Sequence, residues 1–414
     1  MSASPSNSMN NLDRMLHPDE AREIVLAHTP LLEAELVSIG EAHLRVLAND
    51  LYAAEDHPAF AASTMDGYAV VAADFSPWRE VLGVQTAGER LDLEVSEGYT
   101  VKIMTGAPLP AGADAVIKVE NTELAEDHVV VHQDVVTTGE NIRQIGSDLS
   151  KDSLVLRAGT VLGPAEIGLL AGLGITPVEV RRRPRVSVLS TGDELVEPGE
   201  PIKPGQIRDS NRFSLVAALE AESAEVVWSG LAPDSRAGLE VLLRQLIQKS
   251  DVVITSGGVS MGDLDLIKAI LGEIATVHFR RVFVKPGKPL NFATAGNTMI
   301  FGLPGNPVSA HVSFEVFVRT ALGKMSGRRD IDRPTVTVTL GQSTPPTDRI
   351  EFQRAHVTAD SEGRLIATTT GSQASSRLAS FVGANALLVI PPRETSYAAG
   401  EQVKALMFGP PAAE

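Results

Sequence analysis

Asp251-Val252-Val253-Ile254-Thr255-Ser256-Gly257-Gly258-Val259-Ser260 is the stretch whose reading decides the fold. Its apolar run is β-branched, too short for an ordinary helix, and closed by small polar residues and glycine, as expected of a strand buried on both faces. Working outward, the pattern recurs. Val186 to Leu189 is followed by Ser190-Thr191-Gly192-Asp193-Glu194, Val226 to Trp228 by Ser229-Gly230, and Met299 to Phe301 by Gly302-Leu303-Pro304-Gly305-Asn306-Pro307-Val308-Ser309. A helical pattern, Leu239, Leu242, Leu243 and Leu246, lies between two of these runs. Alternating strands and helices predict a parallel sheet covered by helices on both faces, doubly wound α/β in class. Ligands of such sheets bind beyond the carboxyl ends of the strands, where all of these polar turns fall.

The remainder of the 414-residue chain has a different texture, so a multidomain α/β protein is expected. Residues 1–14 are Ser/Asn-rich and expected to be flexible. Pro18 opens a helix, and Leu44, Leu47, Ala48 and Leu51 have the spacing of a second helix from Gly40 to about Tyr52. From Asp56 to Ile145, short β-prone runs such as Tyr68 to Val71 and Val129 to Val131 alternate with turn residues, which predicts a small β-rich domain. Arg181-Arg182-Arg183-Pro184 marks a boundary, read either as a solvated linker edge or as an anion site. Beyond Pro334, alternation over Thr335 to Leu340 and later runs at Leu365 to Thr369 and Leu387 to Ile390 predict a small all-β domain.

Composition narrows the function. A formal net charge of −16 gives the wrong long-range field for nucleic acid or anionic membrane. With no cysteine, thiolate nucleophiles and cysteine-ligated metals are excluded, so a metal must use oxygen or histidine ligands. The N-terminus lacks a basic start and an apolar core, and no apolar run approaches the roughly 18 residues of a membrane span. A cytoplasmic location is expected.

Glycine turns that enter helices bring backbone amides close to an oxyanion, and Gly257-Gly258 and Gly305 stand in two such turns, while the turn at Gly192 brings two carboxylates and two hydroxyls to a strand end. Lys285 and Lys288, in Lys285-Pro286-Gly287-Lys288-Pro289, are either held near a bound anion or simply solvated. Glu194, Asp234 and Asp265, at inferred strand ends, would repel that anion unless a cation intervened. They are hard oxygen ligands suited to Mg2+. Asp234 reads equally well as a helix N-cap, and Asp265 as a first-turn acid. Met65-Asp66-Gly67 and Met104-Thr105-Gly106 read as turns, and Arg143 with Asp148 as a salt bridge. His278 and His311 stand in no motif and read as packing or surface residues.

Seven motifs occur in order: Ser63-Thr64-Met65-Asp66-Gly67-Tyr68-Ala69, Met104 to Pro108, Gly139 to Asp148, Ser190-Thr191-Gly192-Asp193-Glu194-Leu195, Ser256-Gly257-Gly258-Val259-Ser260, Lys285 to Pro289, and Leu303 to Ser309. Together they resemble the MoeA family of molybdopterin molybdenumtransferases, from about residue 14 to the C-terminus. Departures are mild, Thr64 standing where alanine is frequent and Ala61-Ala62 where a more polar pair is common.

The resemblance implies four parts beyond the flexible N-terminus: an elongated scaffold (15–55 plus 149–184), a β-rich inserted domain (56–148), a doubly wound molybdopterin-binding domain (185–330) and a C-terminal β-barrel (331–414). It implies insertion of molybdate into adenylylated molybdopterin with release of AMP, Mg2+ as cofactor, and a homodimer that makes transient contact with the molybdopterin adenylyltransferase. Catalytic roles are implied for Asp66, Thr105, Glu194, Asp265, Lys285 and Lys288, and metal ligation for Glu194, Asp234 and Asp265. Substrate binding is implied for Arg143, Asp148, Ser190, Thr191, Gly192, Asp234, Ser256, Gly257, Gly258, Ser260, Pro304, Gly305, Asn306, Pro307 and Ser309. In that family the cleft lies between two subunits, which gives Asp66 and Thr105 a reason to matter. Two alternatives stand beside this reading. Adenylyl transfer from ATP belongs to a smaller single-domain family, and a receptor-anchoring scaffold would need no chemistry at Asp66.

Overall fold

The computed structural model describes residues 12, 14–89, 91–233, 235–257 and 266–413. They form two compact units, one made of Met1–Ala48, Gly159–Ile167 and Pro177–Glu414, the other of Asn49–Ala158 and Gly168–Thr176.

The larger unit opens with helix α1 (Pro18–Ala27), started by proline at its first turn as the sequence predicts. Its main sheet has six strands: β1 (Arg185–Ser190), β2 (Glu225–Leu231), β3 (Val252–Ser256), β4 (Thr276–Arg281), β5 (Pro289–Ala295) and β6 (Thr298–Leu303). They lie in the order β2-β1-β3-β6-β5-β4. The four apolar runs read from the sequence are the four parallel strands. Their continuous apolar character follows from burial on both faces. Val186, Val188, Val252 and Ile254 point to one core with Leu215 and Leu219 of helix α2 (Asn211–Ala221). The alternate residues Leu189 and Val253 point to the other, with Leu239, Leu243 and Leu246 of helix α3 (Arg236–Lys249) and Ile267, Ile270 and Leu271 of helix α4 (Leu266–Ile274).

The sheet is mixed rather than purely parallel: β5 runs antiparallel to both β6 and β4. Only two residues separate β5 from β6, with Gly296 at φ +58°, and so short a connection can join only antiparallel neighbours. A longer helical stretch, Pro307–Ser313 (α5) continuing through Phe314–Val318 and Arg319–Met325, then leads to the barrel. There, Thr335–Leu340 (β7), Ile350–Ala359 (β8), Leu365–Thr369 (β9), Ala386–Ile390 (β10) and Gln402–Met407 (β11) close into a ring through pairing of β10 with β8. Alternate residues Val338, Leu340, Ala355, Val357, Leu388, Ile390, Val403 and Ala405 fill it.

The helix expected from Gly40 to Tyr52 does not form. Val46–Leu47 is a strand paired with Val178–Arg181, which also pairs Ala34–Val37 on its other side. Leu44 has φ +61°, outside helical space, and Leu51–Tyr52 pairs Leu154–Leu156. The leucine spacing fits a helix, but open strand edges distant in sequence capture the backbone instead.

The smaller unit is built on a six-stranded sheet ordered Ala115–Lys118, Gly67–Val70, Tyr99–Ile103, Trp78–Gln85, His128–Val131, Thr122–Ala125. Ala69, Ile103, Ala107 and Val116 pack on one face, and Val70, Ala115 and Ile117 on the other. Among the described residues, no helix is long and apolar enough to cross a membrane.

Candidate active site

Three turns at the carboxyl ends of β1, β3 and β6 are laced together. The Thr191 N–H donates to Ser256 O (3.0 Å) and the Gly257 N–H to Leu303 O (3.1 Å). The Asn211 side-chain amide, buried at the start of α2, donates to Ser256 Oγ and to Gly305 O, both at 2.8 Å. Gly257 has φ +86°, and a Cβ there would stand 2.5 Å from Thr191 O, so only glycine permits this approach. Gly192 (φ +144°) lies beneath the Glu194 carboxylate, where a Cβ would come within 2.4 Å of Oε2. The Ser190 and Thr255 hydroxyls are buried and without partners among the described residues.

Glu194 is exposed, and its carboxylate makes no hydrogen bond or ion pair within the described residues. Its oxygens are therefore open to a ligand, and a carboxylate is the kind of hard donor that Mg2+ would need there. Asp234, Asp265, Gly258 and Ser260 lie outside the described residues, and among those described no three metal-binding side chains converge.

At the β6 turn, Pro304 and Ser309 are buried, while Gly305 and Asn306 are exposed. Pro307 has no N–H, and the Val308 N–H is given to Ser375 O (3.1 Å). The amides at this helix start are thus partly engaged, a correction to the free donors expected of the loop. The neighbouring Lys285–Pro289 loop packs on the same helix: a Cβ on Gly287 (φ +108°) would stand 3.0 Å from Ser313 Oγ and 3.7 Å from Ser309 O. Lys285 is not a free cation. It sits in register with Glu351 of β8 and pairs with that buried carboxylate at 3.3 Å. Lys288 has no such partner among the described residues.

In the smaller unit, Asp66 Oδ1 accepts from both the Thr105 N–H (2.7 Å) and its hydroxyl (2.8 Å). The Thr105 amide, then its hydroxyl, and the charge of Lys102 hold the Asp66 carboxyl below its ordinary range. The two turns read separately in the sequence are therefore one constellation, seated where Gly67 packs on the Ile117 carbonyl too closely for any side chain. Arg143 and Asp148 are exposed, and no ion pair joins them among the described residues, so the salt bridge read there is absent. His278 stacks on Phe292 and His311 lies against Phe381, both packing roles as expected. Sequence reasoning missed Asn211 and Glu351.

Three family models match the chain: the MoeA N-terminal region (domain I and II) over residues 16–174, a probable molybdopterin binding domain over 187–324, and the MoeA C-terminal region (domain IV) over 337–408. A molybdopterin molybdenumtransferase of Haemophilus influenzae is 38% identical over 94% of this chain and 98% of its own. The chain belongs to the MoeA family. It is a transferase of molybdenum cofactor synthesis. A molybdopterin molybdenumtransferase of Bacillus subtilis is 34% identical over 94% of this chain and 93% of its own. A solved molybdopterin biosynthesis MoeA protein of Pyrococcus horikoshii superposes with a TM-score of 0.81 at 30% identity, covering 95% of this chain and 100% of its own. The family accounts for the whole architecture of α/β domain, β-rich insertion and closed barrel.

Proposed function

We propose that the chain inserts molybdate into adenylylated molybdopterin, releasing AMP and leaving molybdenum on the dithiolene sulfurs. What carries this reading is the set of turns tied by Asn211 at the strand ends, with the open carboxylate of Glu194 beside them. Such turns hold phosphate and molybdate oxygens through amides and hydroxyls without reorganising during the reaction. Lys288 supplies positive charge to the anions, and Lys285, held by Glu351, keeps its loop in place against the barrel. Glu194, with Asp234 and Asp265 as further ligands, would hold Mg2+, whose charge would offset that of the pyrophosphate. The substrate brings the thiolates, so a chain without cysteine is sufficient.

Two copies share each site in this reading, Asp66 and Thr105 of one facing Glu194, Asp265 and Lys288 of the other. Arg143 and Asp148 bind substrate from the smaller unit. The protein acts in the cytoplasm and meets the molybdopterin adenylyltransferase transiently to receive its product. The test supplies adenylylated molybdopterin, Mg2+ and molybdate and measures AMP release and cofactor formation. Asp66→Asn and Glu194→Gln are each expected to lower the rate by about 100-fold or more, the scale of losing a preorganised electrostatic contact. Full activity in both variants sinks the assignment.

A further inference from the structure

The end of the α/β sheet opposite the candidate active site carries a concentration of arginine. Arg185 begins β1 and Ser190 ends it, which at a strand rise of about 3.3 Å per residue separates the two ends by about 17 Å. A cavity of about 390 Å³ opens at the Arg185 end, lined by Glu35, Arg45, Arg182, Arg183, Arg185 and Glu225. A smaller one of about 10 Å³ shares Arg45, Arg182 and Arg183 with it and adds Arg181, Arg328 and Glu222.

The ion pairs around these cavities do not balance. Arg182 is matched by Glu33 and Asp251, both at 2.6 Å, and the nearly buried Arg45 by Glu35. Glu222 alone is shared by Arg319, Arg328 and Arg333, the first and last of which also reach Glu315. Arg181 donates only to the carbonyls of Leu32 and Ala48, and the Arg183 guanidinium has no partner among the described residues. Counting the lining residues, their ion-pair partners and Glu315, which Arg319 and Arg333 also reach, eight guanidinium groups face six carboxylates. That surplus of two positive charges is fixed within a chain whose net charge is −16. Its effect reaches Arg319, which burial and then the charge of Arg333 hold below the usual arginine range. The Arg328 Nε is buried without a partner.

We propose that this end of the sheet is a second anion site, built for a doubly charged oxyanion of the phosphate class. A dianion matches the surplus, the guanidinium fork suits paired oxyanion contacts, and the larger cavity falls within the range of about 300–1,000 Å³ typical of small-ligand pockets. Arg183 is the first ligand, because it gives up no existing contact to bind.

The test titrates the full-length protein with inorganic phosphate and, separately, with AMP, by calorimetry and thermal unfolding. Arg183→Ala disturbs no contact and should fold, while Lys288→Ala alters the candidate active site. The Arg183-dependent phosphate binding seen in wild type is expected to persist in Lys288→Ala, and in Arg183→Ala this site should bind at least about tenfold more weakly, as follows from losing a charge-assisted contact. Phosphate should raise the Tm of wild type and Lys288→Ala by a few degrees. AMP binding that also depends on Arg183 identifies a phosphate monoester as the ligand, and phosphate binding alone identifies the free ion. Unchanged phosphate affinity in Arg183→Ala, loss of all phosphate binding in Lys288→Ala, or equal stabilisation by sodium chloride at matched ionic strength overturns the proposal.

Discussion

At the scale of single residues, Asp74 sets an acid limit on the smaller unit. Its carboxylate is almost fully buried and accepts from the Ser76 N–H (2.8 Å), the Gly98 N–H (2.9 Å) and Arg79 Nε (3.0 Å). Burial pushes its carboxyl up, but the Gly98 and Ser76 bonds and the Arg79 charge outweigh that and bring it to about 2, against 3.8 in the unfolded chain. The folded state therefore binds this proton more weakly. The stability it contributes, about 2 kcal/mol, is complete above roughly pH 4 and lost as the pH falls towards 2. Denaturant unfolding of Asp74→Asn should show a flatter profile across that window. It should also show a loss of roughly 3–5 kcal/mol at neutral pH, because Arg79 is left as an unpaired buried charge. Parallel profiles for wild type and variant below pH 4 would exclude the role. Asp66 is also held in its charged form, but chiefly by one exposed threonine, and so it stays open to a partner.

At the scale of elements, Asn211 is the feature on which the candidate site depends. Asn211→Ala removes both bonds between α2 and the β3 and β6 turns, leaving Ser256 Oγ and Gly305 O without their donor. A loss of about 1–3 kcal/mol in stability is expected, together with a raised KM for adenylylated molybdopterin. Unchanged KM with unchanged stability would count against the tie. Neither Asn211 nor Glu351 could be read from the sequence for one reason. Asn211 meets partners 45 and 94 residues away, and Glu351 meets Lys285 only because β8 lies in register beside that loop. The parallel strands were legible because burial on both faces demands an unbroken apolar run. Strand β4 lies at the sheet's edge, where His278, Arg280 and Arg281 interrupt its apolar pattern, and β5 beside it starts within the loop read for its lysines. The segment around Leu44 was misread because helical spacing is a local signal, whereas the strand edge that captured it pairs residues 133 and 135 positions apart.

At the scale of the whole molecule, the question is whether one chain can act alone. In the proposed reading, the described part of each unit supplies only some of the groups the site needs. The larger supplies the laced turns, Glu194 and Lys288, and the smaller supplies Asp66 with Thr105. If each site draws the first set from one copy and the second from another, two inactive variants should repair one another when mixed. In an Asp66→Asn/Glu194→Gln heterodimer, one site then carries both substitutions and the other carries none. Random reassembly from equal amounts makes half of the dimers mixed, each with one intact site of two, so AMP release should recover to about a quarter of the wild-type rate for a symmetric dimer. A site completed within one chain predicts a different outcome. Every site in the mixed dimer then carries one substitution, and activity stays at the level of the separate variants. Refolding or subunit exchange, followed by the same AMP assay, separates the two cases without requiring a structure of the assembly.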